Sequence, residues 1–293
     1  MTAMAPTEMR PSGVTKYQMF VGGEWVDSAD GATITCTDPF NRVPWATVPK
    51  ATAADVDRAV AAARAAFSDD AWANLRPLQR SQLLRNLADL IEHNSNELAN
   101  VQVRENGKLL RELLGQARLM SNHCHYYAGL AELLEGTTTA ISIPDIFNYT
   151  VREPIGVVAA ITPWNSPLML LLWKFGPALA AGNTIVIKPS EVTPVSTLLF
   201  CKLAQEAGFP SGVVNVVTGF GDVGSQLVQH PGVDKIAFTG STATGKGIAS
   251  AAGSRLARVS LELGGKSPNI IFADANLDNA VKGVLAGIFG ASG

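Results

Sequence analysis

The chain has 293 residues, a formal net charge of −2 and no basic run, so nothing marks it as a partner of nucleic acid or of an acidic membrane. Charged residues make up only 16% of it, against roughly 25% in typical soluble domains, so much of the chain is expected to be buried. Its three cysteines are irregularly spaced, and the N-terminus lacks a signal-peptide pattern. We therefore expect a cytoplasmic protein that acts on a small neutral or anionic metabolite.

The N-terminal third predicts an arm, a hairpin and several helices. Residues 1–16, rich in Pro, Thr and Ser, predict a disordered arm. Residues 17–27 alternate apolar and polar side chains around Gly22-Gly23, which predicts a β-hairpin. After Thr52, a plausible N-cap, the apolar residues recur at helical spacing. Further predicted elements are a short strand over 32–37 and helices near 77–93, 95–106 and 109–135.

His123, Cys124 and His125 are the one stretch that suggests a metal site. Neighbouring residues on a helix point to different faces, so these three cannot close on one ion. We expect them to be ordinary core and surface residues, and we predict no metal site. After a loop over 136–148, residues 149–153 alternate as an isolated strand. This strand is expected to pair far along the chain or with another subunit.

Beyond Pro154 the pattern predicts an α/β fold. Apolar runs of strand length alternate with helical stretches, which indicates a doubly wound parallel sheet covered on both faces. Ligands of such sheets bind beyond the carboxyl ends of the strands. The predicted strands are 156–161, 184–187, 213–217, 235–238 and 258–261, and the helices between them are 167–181, 194–207, 223–228 and 244–252.

Polar residues follow each predicted strand. No G-x-G-x-x-G turn follows the first strand, which instead runs into Thr162-Pro-Trp-Asn165. The Asn165 amide could stabilise a developing oxyanion, or could simply cap a turn. Lys188 and Glu191 could hold the two hydroxyls of a ribose, with Glu191 favouring NAD over NADP, or could form a solvated ion pair. The glycines and hydroxyls of 238–245 at a helix start suit a pyrophosphate, although such a loop alone is weak evidence.

Glu262 stands between two leucines at the end of the fifth strand and is followed by Gly264-Gly265. Burial between apolar neighbours would raise the pKa of its carboxyl group, as suits a general base near neutral pH. The alternative is a strand-end glutamate that pairs with a nearby Lys or Arg. The polar ends of the other four strands favour the general base.

Four motifs together resemble the aldehyde dehydrogenase superfamily of the NAD-dependent, hydrolytic type. They are Thr162-Pro-Trp-Asn165, Lys188-Pro-Ser-Glu191, Phe238-Thr-Gly-Ser-Thr242 with Gly245, and Leu261-Glu-Leu-Gly-Gly-Lys-Ser-Pro268. The resemblance implies that Asn165 is the oxyanion-hole amide, Glu262 the general base and Lys174 an aid to proton movement. The cofactor-binding residues that it implies are Ile161, Thr162, Trp164, Lys188, Glu191, Gly221, Gly240, Ser241, Gly245 and Leu263.

The resemblance also implies a domain plan and partners. An NAD-binding domain with a Rossmann-like sheet would take 17–135 and 155–264. Residues 136–154 would form an oligomerisation strand, and 265–293 would begin a catalytic domain that is largely absent. The substrate would be a small-molecule aldehyde, and the full-length protein would be a homo-oligomer, a dimer or a tetramer.

The family's nucleophile is a cysteine that lies shortly after the helix predicted over 278–289. This sequence ends at Gly293, a few residues before that position, so we expect the 293-residue chain to be inactive alone. A non-catalytic nucleotide-binding fragment or pseudoenzyme is the alternative. CoA-acylating relatives generally do not use the glutamate, so Glu262 favours hydrolytic release. The aldehyde stays unassigned: Met169, Leu172 and Trp173 could line its tunnel or belong to the core.

Overall fold

Two β-sheets organise residues 13–292, the part of the chain that this computed structural model describes. The strands found there are β1 (Thr15–Lys16), β2 (Met19–Val21), β3 (Glu24–Val26), β4 (Thr33–Thr37), β5 (Pro44–Pro49), β6 (Val157–Ile161), β7 (Thr184–Lys188), β8 (Val214–Val216), β9 (Lys235–Gly240) and β10 (Arg258–Leu263). The first sheet contains β1, β5 and β4, and the second contains the other seven strands.

Helices follow the strands in the order that the sequence predicts. The helices of the described residues are α1 (Ala53–Ser68), α2 (Asp70–Ala73), α3 (Pro77–His93), α4 (Ser95–Asn106), α5 (Leu110–Ala131), α6 (Pro167–Ala180), α7 (Val195–Glu206), α8 (Gly221–Gln229), α9 (Thr242–Gly253) and α10 (Leu277–Phe289). A 3-10 turn, Gly290–Ser292, follows α10.

The larger sheet has the strand order β10-β9-β6-β7-β8-β2-β3. Its first five strands are parallel, which confirms the predicted doubly wound sheet. Ile161, at the end of the central strand β6, pairs with Lys188 on one side and Phe238 on the other. The carboxyl ends of β6, β7 and β9 therefore meet at one edge. The predicted hairpin β2–β3 is confirmed, and it joins the sheet through an antiparallel pairing of Phe20 with Val216.

Both faces of the parallel strands are buried because helices cover each of them. Every residue of β6 and β7 is buried, which fits the apolar sequence of β6 and the three apolar residues between Thr184 and Lys188 in β7. Side chains alternate between two cores: Val158 and Ala160 pack towards α3, α5, α6 and α7. Val157 and Ala159 face α1, α8 and α9 on the other side.

The start of α1 confirms the N-cap expected at Thr52. Thr52 Oγ1 accepts a hydrogen bond from the Asp55 backbone N–H at 3.3 Å, and the Asp55 carboxylate accepts one from the Thr52 N–H at 2.8 Å. This reciprocal pair is a capping box, which satisfies backbone donors that a helix start otherwise leaves free. It fixes where α1 begins to cross the sheet.

Two predictions about extended segments need correction. Residues 1–12 of the expected arm lie outside the described residues, but Thr15–Lys16 form β1 and pair in parallel with β5, so the arm does not extend to residue 16. The strand predicted at 149–153 reduces to a bridge between Tyr149 and Thr138. Within the described residues its contacts are local rather than far along the chain, because the loop before it folds back: the Thr150 N–H donates to the Thr137 carbonyl oxygen at 2.8 Å. Pairing with another subunit stays a prediction.

The segment after β10 packs loosely on the rest of the chain. No described residue of α10 is buried, and its apolar side chains include exposed Leu277, Val281 and Phe289. This helix therefore carries an uncovered apolar surface. Among residues 13–292, no helix has both the length and the apolar character needed to cross a bilayer.

Candidate functional site

The carboxyl ends of the parallel strands border a single large cleft of about 1110 Å³, here called the strand-end cleft. Loops after β6, β7 and β10 and one face each of α8 and α9 form its walls. Eleven residues singled out from the sequence line it, namely Ile161, Thr162, Trp164, Asn165, Lys188, Glu191, Gly221, Gly240, Ser241, Glu262 and Leu263. The topology thus brings together residues that are up to about a hundred positions apart in the chain.

Gly245 and Lys174 are the two predicted site residues that do not line the strand-end cleft. Gly245 is buried under β10, and a Cβ atom there would lie 2.5 Å from Leu263 Cδ2. The contact that the structure shows for Gly245 is therefore close packing of α9 against β10, and the expected cofactor contact of this residue stays a prediction. Lys174 lies on α6 and borders a second cavity.

The loop after β6 presents a buried hydroxyl and an exposed amide. Thr162 is 3% exposed, and its Oγ1 atom has no hydrogen-bond partner among the described residues. Its backbone N–H donates to the Lys188 carbonyl oxygen at 3.2 Å, which ties the loop to the neighbouring strand. Trp164 and Asn165 are exposed in the cleft wall. An orphaned buried hydroxyl at a cleft wall suits a site that a polar ligand completes.

Lys188 and Glu191 lie close together at the end of β7. Lys188 is 5% exposed, and its Nζ atom lies 3.7 Å from Glu191 Oε2. Burial lowers the pKa of Lys188, while the nearby carboxylates of Glu191 and Asp222 act in the opposite direction. At 3.7 Å the pair is beyond hydrogen-bonding distance, so each group retains capacity to bind a ligand.

Helix α9 begins beside the strand-end cleft and lines it with one face, from Ser241 and Thr244 to Ile248 and Ala251. Ser241 caps it, because Ser241 Oγ accepts a hydrogen bond from the Thr244 backbone N–H at 3.2 Å. Thr242 and Ala243, in the first turn, are exposed. The backbone N–H groups and the positive end of the helix dipole make such a position favourable for a phosphate group.

Glu262 is exposed, so the expectation that its leucine neighbours bury it is wrong. The reason is the alternation of side chains along β10, which is an edge strand of the sheet. Leu261 and Leu263 pack against the core under α8 and α9. Glu262 borders both the strand-end cleft and the second cavity, and it therefore connects the two.

The second cavity, here called the Lys174 groove, has a volume of about 500 Å³. Lys174 is 9% exposed, and its Nζ atom donates to Thr239 Oγ1 at 2.6 Å and to the Leu170 carbonyl oxygen at 3.2 Å. Burial lowers the pKa of Lys174 to about 8, and the charge of Glu262 acts against that shift. A lysine with this pKa can release and regain a proton near neutral pH.

The sequence did not decide whether three side chains of α6 line a substrate tunnel or belong to the core. Met169 and Leu172 are buried and belong to the core. Trp173 is exposed and lines the Lys174 groove, where its ring stacks on His123 with centroids 6.3 Å apart. Only Trp173 therefore stays a candidate for contact with a substrate.

All three cysteines are buried away from both cavities. Cys36 lies on β4, Cys124 on α5 and Cys201 on α7. Burial raises the pKa of Cys36 and of Cys124 to about 12, and it raises that of Cys201 as well. Thiols in such surroundings are poor nucleophiles because the thiolate is disfavoured.

The sequence did not single out several polar residues that border the strand-end cleft, among them Thr239, Thr244, Asn106 and Lys108. Thr239 and Thr244 belong to the same glycine-rich stretch as Gly240 and Ser241, so the motif itself could have indicated them. Asn106 is the last residue of α4 and Lys108 lies in the connection to α5, more than fifty residues before the cleft motifs. No local pattern predicts that this connection reaches the cleft.

The sequence of the chain also matches a known protein family. The model described as the aldehyde dehydrogenase family matches residues 25–293. The chain belongs to the aldehyde dehydrogenase family. Among aldehyde dehydrogenases, one from Alternaria alternata is 48% identical over 274 residues, and the phenylacetaldehyde dehydrogenase of Pseudomonas fluorescens is 45% identical over 280. The first match covers 92% of this chain and the second 93%.

A solved structure gives the same result for the fold. The NAD+ complex of an aldehyde dehydrogenase from Bacillus cereus superposes with a TM-score of 0.92 at 45% identity, over 94% of this chain. That match covers 56% of the Bacillus cereus chain, and the two curated relatives are covered to 55% and 56%. The present chain therefore spans little more than half the length of these aldehyde dehydrogenases.

Proposed function

We propose that this chain provides the cofactor site and part of the catalytic site of an enzyme that oxidises an aldehyde to a carboxylic acid with NAD. One observation carries the proposal: the amide of Asn165, the Lys188–Glu191 pair, the N-terminus of α9 and the carboxylate of Glu262 border a single cleft. Family membership and the NAD+ complex of the Bacillus cereus relative support it.

The residues of the strand-end cleft fit a dinucleotide. Lys188 can donate to ribose hydroxyls and Glu191 can accept from them, while a 2′-phosphate would meet the negative charge of Glu191. The start of α9, with Ser241, suits the pyrophosphate. The unpartnered Thr162 hydroxyl offers a further polar contact, and the Gly221 backbone faces open space. When bound, NAD accepts a hydride from the substrate carbon.

The chain's own catalytic groups would act on the substrate oxygen and on a water molecule. The Asn165 side-chain amide would donate a hydrogen bond to the aldehyde oxygen as negative charge develops there. Glu262, exposed at the junction of the cleft and the groove, would remove a proton from the hydrolytic water. Lys174, whose pKa burial lowers to about 8, would help that proton to leave through the Lys174 groove.

The nucleophile of this chemistry is not among the cysteines of the chain. Cys36, Cys124 and Cys201 are buried outside the strand-end cleft. We therefore expect the purified 293-residue polypeptide to form no NADH from NAD+ and a panel of aliphatic and aromatic aldehydes. Steady NADH formation above a control without aldehyde would contradict this expectation. The same preparation should still bind NAD+, and absence of binding would contradict the proposed cofactor site.

A second candidate function is nucleotide binding without catalysis, which the burial of all three cysteines favours. The two functions predict different activities for a longer polypeptide, in which this chain is extended at its C-terminus to the length of its relatives. An enzyme oxidises aldehydes in that form, whereas a binding protein does not. Glu262→Gln in the extended form separates them further, because the enzyme should keep its first hydride transfer and lose turnover.

We also propose that the extended protein is a homo-oligomer. Residues 132–154 are exposed throughout, and the apolar side chains of Phe147, Tyr149 and Val151 are uncovered. An exposed apolar segment of this length suits burial against a second copy. Light scattering should give at least a dimer for the extended protein, and Val151→Asp should shift it towards the monomer. A wild-type monomer would contradict the proposal.

A further inference from the structure

The end of α4 and the connection to α5 reach the loop that carries Asn165, and they contact the residues on both sides of Asn165. Asn106 Nδ2 donates to the Trp164 carbonyl oxygen at 3.5 Å, and Lys108 Nζ donates to Ser166 Oγ at 3.3 Å. Trp164 and Ser166 are the two residues that flank Asn165. We call residues 105–108 the buttress segment.

Buried contacts hold the buttress segment itself in place. The carboxyl group of Glu105 is buried and accepts hydrogen bonds from the backbone N–H groups of Val195 and Ser196, at the start of α7. Gly107 has φ = 74°, a left-handed conformation that ends α4, and a Cβ atom there would lie 3.2 Å from Pro39 Cγ. The segment is therefore fixed at its base and turned sharply towards the cleft.

The two contacting side chains are also constrained. Asn106 Oδ1 accepts a hydrogen bond from the Lys108 backbone N–H at 3.1 Å, which orients the amide nitrogen towards Trp164. Lys108 is only 9% exposed although it borders the strand-end cleft, and burial lowers its pKa while the charge of Glu112 opposes that shift. A side chain that is held in this way limits the positions open to Ser166.

We propose that the buttress segment positions Asn165, with Asn106 and Lys108 as the contacting residues and Glu105 as the anchor. This inference rests on the proposed role of Asn165 in the reaction. It assigns no contact with substrate or cofactor to the segment, which acts through the loop that it holds. Catalysis is sensitive to displacements of about 1 Å in such groups, so the segment would affect the reaction from a distance.

One ¹⁵N–¹H NMR spectrum of the ligand-free chain can test this proposal. It contains the Asn165 side-chain amide and the indole N–H signals of Trp164 and Trp72, which Asn165→Ala, Trp164→Phe and Trp72→Phe assign by loss of signal. Lys108→Met should shift the Asn165 and Trp164 signals, and Lys108→Arg should return them towards wild type. Trp72 is buried and its indole donates to the Gly182 carbonyl oxygen at 2.9 Å, so its signal reports the core and should stay in place.

Lys202→Met, an exposed change on α7, is the matched control and should shift neither signal. Asn106→Ala gives a second test should Lys108→Met fail to fold. Unmoved Asn165 and Trp164 signals in the buttress variants, or a Trp72 signal that moves as much as they do, would overturn the proposal. NAD+ is then added to wild type: no response at the cleft would count against the proposed function while leaving the buttress result intact.

Discussion

Lys174 Nζ lies 2.6 Å from Thr239 Oγ1, so a nearly buried ammonium on α6 is hydrogen-bonded to the end of β9. A hydroxyl stabilises an ammonium less than a carboxylate does. Burial therefore dominates and lowers the pKa of Lys174 to about 8. Glu262 raises that pKa through its charge, which couples the two proposed proton-transfer groups.

The first prediction concerns this coupling. The Lys174 amine should titrate near pH 8 in a ¹³C NMR titration of lysine-labelled protein, with its signal assigned by Lys174→Met. Glu262→Gln removes a negative charge that stabilises the ammonium, so the pKa of Lys174 should fall further. Glu206→Gln, at an exposed position on α7, is the control and should leave it unchanged. An unchanged value in Glu262→Gln would refute the coupling.

The second prediction is a pH-dependent stability that comes from Glu105. Burial raises the pKa of Glu105 from 4.5 to about 8, although the backbone N–H groups of Val195 and Ser196 act in the opposite direction. The unfolded chain loses the proton first, so the free energy of unfolding should fall as pH rises from about 4.5 to about 8. The full shift of the Glu105 pKa corresponds to an upper limit of roughly 5 kcal/mol in the free energy of unfolding.

Urea denaturation of wild type and Glu105→Gln across this pH range tests the assignment. The glutamine keeps an oxygen acceptor for α7 and carries no charge, so its curve should be flatter and should lie above wild type at pH 8. Asp55→Asn is unsuitable as a control because Asp55 belongs to the capping box of α1. Glu206→Gln serves instead, since this residue is exposed. Parallel curves for wild type and Glu105→Gln would count against the prediction.

The third prediction compares two glycines of α9. A Cβ atom at Gly245 would lie 2.5 Å from Leu263 Cδ2, whereas one at Gly247 would meet no atom within 4 Å. Gly245→Ala should therefore destabilise the fold by about 1–3 kcal/mol. Gly247→Ala should stabilise it by up to about 1 kcal/mol, because alanine favours the helix. Thermal unfolding measures both changes, and equal effects would show that the packing of Leu263 does not decide the cost.

The sequence predicted the elements of the larger sheet well because their signals are local. Continuous apolar runs such as 184–187 mark strands that are buried on both faces, and the structure has them within one or two residues. The convergence of Asn165, Lys188 and Glu262 also followed, since the carboxyl ends of parallel strands share one edge.

Features that depend on contacts between residues far apart in the sequence could not be predicted in this way. The exposure of Glu262 follows from the edge position of β10, which the residues around it do not reveal. The contact of Gly245 with Leu263 joins a helix to a later strand. The position of Lys108 beside Ser166 depends on the buried anchor of Glu105, which is about ninety residues from its partners in α7.

The fourth prediction concerns the choice between NAD and NADP. Glu191 lies 3.7 Å from Lys188, where its charge would oppose a 2′-phosphate. Glu191→Gln should raise the affinity for NADP+ relative to NAD+ by roughly three- to tenfold. Calorimetric titration with each cofactor gives the ratio, with Glu206→Gln as the control. A ratio that does not change would mean that Glu191 does not face the ribose.

Titration of the ¹⁵N-labelled 293-residue chain with NAD+ tests most directly whether the strand-end cleft is a dinucleotide site. The backbone N–H signals of Lys188, Ser190, Glu191 and 241–245 should shift together and saturate at one common dissociation constant. Signals of the first sheet, such as those of β4, should stay in place. Absence of saturable shifts at millimolar NAD+, or shifts that lie outside the strand-end cleft, would contradict the proposed cofactor site.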